Sequence, residues 1–157
     1  MPNWCNNTLV VRGDKKTIKQ FKQKAKGTDD EKGKNDLSLG NFIPMPKELE
    51  DTTSPSEPDT KKSKELIKKY GAKNWYDWKI QNWGVKWDVK AELVSEEDGY
   101  LEYVFDSPWS PPLEWLETVA KLYKTLFFRL KYEEEGMGFL GVAKAEKGKM
   151  DDQSIDY

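Results

Sequence analysis

Two stretches in the second half of the chain alternate apolar and polar side chains, which is the two-residue period of a half-buried β-strand. The first is Lys86–Val94 and the second is Leu126–Glu133. After the first, the polar, glycine-bearing group Ser95–Gly99 predicts a hairpin turn into a return strand over Tyr100–Asp106. After the second, two glycines precede a last predicted strand, Phe139–Ala145. The chain is therefore expected to build a sheet from strands that hairpins connect.

Apolar residues at helical spacing predict one helix before these strands and one between them. The first helix is Lys15–Lys26, and it follows a short predicted strand at Asn7–Arg12. The second starts behind the prolines of Pro108–Pro112 and covers Leu113–Lys124. The resulting order is βαββαβ with an extra C-terminal strand. This order predicts an α+β fold, a ferredoxin-like sandwich with a long insertion after the first helix.

The insertion is predicted to cover residues 27–85. Leu37–Ile43 is expected to be a short extended piece, because prolines follow it closely. Glu50–Ser63 has no apolar residue and is predicted to be flexible. Lys64–Tyr70 is predicted to be helical, with Gly71 ending the helix, and Trp75–Ile80 to add a turn. Residues 1–146 should form a single ferredoxin-like domain, and residues 147–157 a disordered tail.

The residue types present exclude several kinds of chemistry. The chain has no histidine, so neither a Ser-His-Asp nor a Cys-His nucleophile is possible. Cys5 is the only cysteine, which leaves no intramolecular disulfide and no thiolate zinc site. No apolar run approaches membrane-spanning length. We therefore expect a cytoplasmic protein without a cofactor or a membrane partner.

Tryptophan is concentrated around the segment Asn82–Asp88, and four of the seven tryptophans fall between positions 75 and 87. Gly84 is a natural place for a positive backbone angle. One interpretation is that Trp83 and Trp87 are core residues, since large aromatic side chains mostly serve burial. The other is an aromatic pocket or surface, with Asp88 as its polar group, that binds another protein or a small ligand without catalysis. The candidate binding residues are Trp83, Lys86, Trp87, Asp88, Asp106 and Trp109.

A carboxylate site is the alternative to a binding module. Asp88 and Asp106 are expected near one end of the sheet, with the acidic run Glu133–Glu135 on a neighbouring strand end. Paired carboxylates perform acid–base chemistry or hold a divalent metal, so the alternative function is a carboxylate-based hydrolase or a divalent-metal site. A solvated acidic cluster is the plainer interpretation.

Weak nucleic-acid binding is a further alternative. Four lysines of the first helix fall on one side of it, at offsets of four, seven and eleven: Lys15, Lys19, Lys22 and Lys26. The helices should cover one sheet face and aromatic strands the other, so this basic stripe and a stacking surface would lie on opposite sides. Gly99–Tyr100 with Phe105 also resembles an RNA-binding strand motif, although Asp98 and Glu102 depart from it. We expect binding that is weak, sequence-independent and salt-sensitive.

Five segments of the sequence carry a resemblance to a known family: Pro2–Cys5, Phe42–Pro46, Asn82–Asp88, Trp109–Pro112 and Tyr132–Phe139. In this order they resemble the YubB-type family of ferredoxin-like domain proteins, which are small proteins of bacteria, plasmids and phages. The resemblance implies a ferredoxin-like fold. It implies no activity and no catalytic residues.

Limited proteolysis is expected to cut the chain first within Glu50–Ser63, because no apolar side chain there holds the backbone to a core. Mass spectrometry of the earliest fragments checks this prediction. First cleavage within Trp75–Trp87 would contradict it.

Overall fold

A computed structural model describes residues 1–56 and 60–157. The helices and strands are β1 (Trp4–Arg12), α1 (Lys15–Ala25), α2 (Lys61–Tyr70), α3 (Trp75–Trp83), β2 (Ala91–Glu97), β3 (Tyr100–Pro108), α4 (Leu113–Leu122), β4 (Phe127–Glu134), β5 (Phe139–Glu146) and β6 (Lys149–Asp156). Two short 3-10 helices, Leu39–Asn41 and Lys47–Leu49, lie between α1 and α2.

The strands form one sheet of six in the order β2-β3-β1-β4-β5-β6, and every neighbouring pair is antiparallel. The first four strands in this order have the ferredoxin-like arrangement, with α1 crossing from β1 to β2 and α4 crossing from β3 to β4. The predicted ferredoxin-like α+β fold is confirmed. Two strands, rather than the one predicted, extend the sheet beyond β4.

Alternation along the central strands buries one face of the sheet. Leu9 and Val11 of β1 and Phe128 and Leu130 of β4 are fully buried on this face. The helices contribute the opposing apolar residues, which are Ile18, Phe21 and Ala25 of α1 and Trp115, Leu116, Val119 and Ala120 of α4. The other face carries no helix among the described residues, and we call it the open face.

One indole N–H group attaches the insertion to this core, and a second joins two parts of the insertion. Trp115 Nε1 donates to the carbonyl oxygen of Leu39 at 3.1 Å, and Trp83 Nε1 donates to that of Ile43 at 2.9 Å. Phe42 stacks on Phe21 with ring centroids 4.8 Å apart. The 3-10 helix at Leu39–Asn41 therefore lies against the helices, where the sequence predicted an extended piece.

The tryptophan segment belongs to a helix end and a loop rather than to a strand entry. α3 runs through Trp83 and ends at Gly84, whose φ of 82° confirms the predicted positive backbone angle. A Cβ at this position would collide with the Glu114 carboxylate. The strand predicted from Lys86 begins only at Ala91, because Asp88 binds the backbone of the insertion instead of continuing a ladder.

The predicted disordered tail is wrong, because most of it forms β6. This strand pairs with β5 from Glu146–Lys149 to Phe139–Asp156. Lys147 and Gly148 form a two-residue turn with φ of 55° and 77°, as in a type I′ hairpin. Most side chains of β6 are exposed and polar, so the strand lacks the apolar alternation that identifies strands in a sequence.

The segment predicted to be flexible lies only partly within the described residues. Residues 57–59 lie outside them, and α2 begins at Lys61 rather than Lys64. Before these residues in the sequence, Thr52 Oγ1 accepts the N–H of Trp75 at 2.9 Å. Gly71 ends α2 in the left-handed conformation, as predicted. Flexibility across Glu50–Ser63 stays a prediction.

Replacing Tyr103 with Phe is expected to raise the free energy of unfolding by about 1 kcal/mol. The Tyr103 hydroxyl is buried and has no hydrogen-bond partner among residues 1–56 and 60–157. Tyr132→Phe is the matched control, since Tyr132 Oη donates to Asp152 at 2.7 Å and its loss should destabilise the protein. Urea unfolding of both variants checks the prediction, and destabilisation by both would contradict it.

Candidate functional site

Three of the seven tryptophans have substantial exposed area at one end of the sheet. The exposed fractions are 43% for Trp4, 41% for Trp87 and 44% for Trp109. Trp4 pairs across the sheet with Pro108, which directly precedes Trp109, so the first strand and the third strand present their rings at the same end. Exposed indoles in one place mark an interaction surface. We call Trp4, Trp75, Trp87 and Trp109 the tryptophan surface.

The rings of this surface border an open groove. Trp4 and Trp87 lie with their ring centroids 6.5 Å apart. Trp87 and the half-buried Trp75 then line a groove of about 480 Å³ together with Met45, Glu50 and Lys79. The groove therefore has apolar walls and one group of each charge.

Two lysines lie over the indole rings. Lys79 Nζ is 5.4 Å from the ring centroid of Trp75 and 5.2 Å from that of Trp83. Lys86 Nζ lies 4.3 Å from the centroid of Trp87. Burial lowers the pKa of Lys79, while the nearby carboxylates of Asp88 and Glu50 act in the opposite direction. The cation of Lys79 is thus partly desolvated and held by π-faces rather than by an ion pair.

Trp109 is held in place by a strained turn. Its φ of 69° is unusual for a bulky residue. Its N–H donates to the carbonyl oxygen of Asn3 at 2.9 Å, and the hydroxyl of Ser110 donates to that of Gly84 at 2.9 Å. These bonds fix the indole to β1 and to the end of α3, which is how a surface side chain becomes preorganised.

Asp88 is a structural anchor of the insertion. Its carboxylate accepts hydrogen bonds from the Ser38 hydroxyl at 2.7 Å and from the N–H groups of Leu39 at 2.7 Å, Gly40 at 3.0 Å and Val89 at 2.8 Å. With four donors engaged, its oxygens hold the backbone of the 3-10 helix. The predicted role of Asp88 as the polar group of a pocket is better explained by this anchoring.

The other predicted carboxylates are dispersed. Asp106 is on the open face and accepts from Asn6 Nδ2 at 2.7 Å. Glu133 accepts the hydroxyl of Tyr157 at 2.6 Å. Buried Glu134 accepts the N–H groups of Gly136 and Met137, which fixes the β4–β5 turn. Among the residues that the structure describes, no three His, Cys, Asp or Glu side chains gather in a metal-binding group.

The lone thiol is held in its protonated form. Cys5 is fully buried on β1, and burial raises its pKa to about 12, with a smaller opposing effect from a hydrogen bond to Ser107. A thiol that stays protonated near neutral pH is a poor nucleophile. Cys5 therefore serves packing.

The six predicted binding residues do not form one cluster. Lys86 and Trp87 are in contact, and Trp109 lies at the same end of the sheet. Trp83 is only 3% exposed and belongs to the core, which was one of the two interpretations of its position. Asp88 and Asp106 lie in the anchor and on the open face.

Sequence reasoning missed Trp4, Trp75 and Lys79. For Trp4 a signal existed. It lies an odd number of positions from Leu9 and Val11, and this parity places it on the opposite face of the same strand. Trp75 and Lys79 are four residues apart on α3, a spacing that places both on one side of a helix.

Comparison of the sequence with known protein families identifies the class of fold. Residues 82–156 match a family described as the ferredoxin-like domain in Api92-like protein. This match starts in the tryptophan segment and covers β2 to β6, including the strand that the sequence did not predict.

One solved structure resembles the whole chain. It is the crystal structure of a protein Api92 from Yersinia pseudotuberculosis, with a TM-score of 0.60 and 11% sequence identity, covering 100% of this chain and 98% of that chain. At this identity the likeness shows the fold alone. No curated protein matches the chain. The resemblance to YubB-type proteins stays a prediction.

No helix within residues 1–56 and 60–157 is both long enough and apolar enough to cross a bilayer.

Asp88→Ala is expected to lower the free energy of unfolding by about 2–3 kcal/mol, because it leaves several donors without their acceptor. Asp106→Ala is the matched control. It removes one exposed hydrogen bond and should cost no more than about 0.5 kcal/mol. Urea unfolding of both variants measures the difference. Equal, small effects would contradict the anchoring role of Asp88.

Proposed function

We propose that this protein is a cytoplasmic, non-enzymatic binding module that holds a segment of another protein on the tryptophan surface. The single observation that carries the proposal is the exposure of Trp4, Trp87 and Trp109 at one end of a rigid sheet. Indole rings are enriched at the energetic centres of protein interfaces because each buries a large area at low entropic cost.

The chemistry of the surface suggests what the bound segment contains. Lys79 and Lys86 lie against indole rings and make no ion pair with another described residue. A carboxylate placed beside them would gain a charge-assisted hydrogen bond in a partly desolvated site. The groove between Trp75 and Trp87 accepts an apolar side chain. An extended segment with apolar residues next to Asp or Glu fits both features.

Binding is favoured over catalysis because the polar groups nearby are already engaged. The carboxylate of Asp88 accepts four hydrogen bonds from the chain. Glu50, at the rim of the groove, is a single carboxylate without a paired acid or base among the groove's lining residues. General acid–base work on a carboxylate pair needs two such groups close together.

Selection of displayed random peptides on the protein tests the proposal. Enriched peptides should combine apolar and acidic residues, and the Trp4→Ala/Trp87→Ala double variant should bind them at least about tenfold more weakly, because two interface indoles are lost. Fluorescence titration of individual synthetic peptides measures the affinity.

Leu122→Ala is the matched control, because it removes an apolar side chain that is 62% exposed on α4. It should bind the peptides as the native protein does. Near-UV circular dichroism shows whether the double variant keeps its packed core. If the peptides bind the folded double variant as tightly as they bind the native protein, the proposal is contradicted.

A further inference from the structure

The open face carries a compact group of positive side chains. Arg12 lies on β1, Arg129 and Lys131 on β4, and Lys144 on β5. Directly paired residues, and residues two apart on one strand, lie on the same face of a sheet. Arg129 pairs with both Val10 and Lys144, and Arg12 is two residues from Val10, so all four lie on the same side. We call these four residues the cationic band. Arg129 lies one strand spacing of about 4.8 Å from Lys144 and two residues, about 7 Å, from Lys131. Arg12 lies diagonally from Arg129, one strand across and two residues along.

The charges of the cationic band are not neutralised by the chain. None of its four members forms an ion pair with another residue that the structure describes. Arg129 Nε is buried and has no hydrogen-bond partner within the same residues. Arg129 also lies directly opposite Lys144, a like-charge pair that destabilises a sheet. An anion over this position would satisfy the donor and relieve the repulsion.

Acidic side chains border the cationic band on both sides. Glu102 of β3 pairs with Val10 on one side, and Asp151 of β6 pairs with Lys144 on the other. Further carboxylates on the open face are Glu92, Asp106, Glu133 and Glu146. The positive region is therefore only about two strand spacings wide, roughly 10 Å. An extended anionic surface such as a lipid membrane would meet the acidic borders and be repelled.

Two aromatic rings lie beside the cationic band. Arg12 Cζ is 4.5 Å from the ring centroid of Phe127, so guanidinium and ring are stacked. Tyr100 pairs with Arg12 from the other side, on β3. Both rings are half-buried on the open face. Phe105, which the sequence analysis grouped with Tyr100, faces the helices instead.

We propose that the cationic band binds a single strand of nucleic acid, with phosphates on Arg129, Lys131 and Lys144 and a base stacked beside Arg12 and Phe127. Single-strand binding combines a positive groove with aromatic platforms, and both are present here. A duplex fits poorly, because its second backbone lies across a groove about 12 Å wide and would fall on the acidic borders. This site is on the open face, whereas the sequence pointed to the lysines of α1.

Fluorescence anisotropy with a fluorescein-labelled oligothymidine of about 12 nucleotides, a length within the range that one small fold covers, tests the inference. Lys144→Glu should weaken binding at low salt at least about tenfold and reduce the salt dependence, because phosphate contacts are lost. The same substitution should leave the melting temperature within about 2 °C of the native value, since it removes the repulsion with Arg129 but places a carboxylate opposite Asp151. A residue with a purely structural role would not combine weaker binding with unchanged stability.

Lys19→Glu is the matched control, because it makes the same charge change on an exposed lysine of α1 on the helical side. It should alter the affinity by less than about twofold, a change expected from net charge alone. If Lys144→Glu does not fold, Lys144→Ala replaces it, and it should weaken binding in the same direction. Equal losses in the Lys19 and Lys144 variants would overturn the inference.

Two further arms test the kind of partner. The native protein should bind the single strand more tightly than a duplex of the same length, and it should not bind anionic phospholipid vesicles. No binding of the single strand at low salt, or preferred binding of duplex or vesicles, would overturn the inference. Because the tryptophan surface is left intact in these variants, their peptide binding should be unchanged.

Discussion

The carboxylate of Asp88 connects the insertion to the sheet, and much of the molecule depends on that connection. It accepts the hydroxyl of Ser38 and the N–H groups of Leu39 and Gly40, while Trp115 Nε1 holds the same segment from the side of α4. A buried amide without a hydrogen-bond partner lowers the free energy of unfolding by more than one formed hydrogen bond raises it. This short segment therefore stays fixed once both partners are present. Trp83 is then buried against Ile43, and α3 is placed so that Trp75 and Lys79 reach the groove beside Trp87.

The two proposed binding surfaces differ because the two faces of the sheet carry different side chains. Both crossing helices pack on one face, so the core there takes nearly all of the large apolar side chains. The open face keeps charged and half-buried aromatic side chains, and its central cations lie next to one another at a cost in stability. The tryptophans gather at one end of the sheet, where β1 begins and β3 ends. Protein and nucleic-acid partners would therefore approach different parts of the molecule.

The sequence predicted the fold where apolar periodicity is strong and failed where backbone hydrogen bonds act alone. The alternation of Leu126–Glu133 identified β4, and the spacing of Ile18, Phe21 and Ala25 identified α1. β6 was not predicted, because its pairing with β5 needs no apolar side chain. For the candidate site, Lys86, Trp87 and Trp109 were identified from residue type, but Asp88 was given a ligand role. The four donors that reach Asp88 include three from residues about 50 positions away, which no local pattern reveals.

β6 is an edge strand of the sheet. It carries Asp151, Asp152 and Asp156 and leaves its outer backbone groups exposed, so a second chain that approached to pair with it would meet a row of negative charges. Behind it, β5 has partly exposed Leu140 and Val142, with no acidic side chain between Phe139 and Ala145. A molecule that lost β6, by a cut at the Lys147–Gly148 turn, would present this more apolar strand as its edge. The charged strand therefore protects a more apolar strand from edge-to-edge pairing and aggregation.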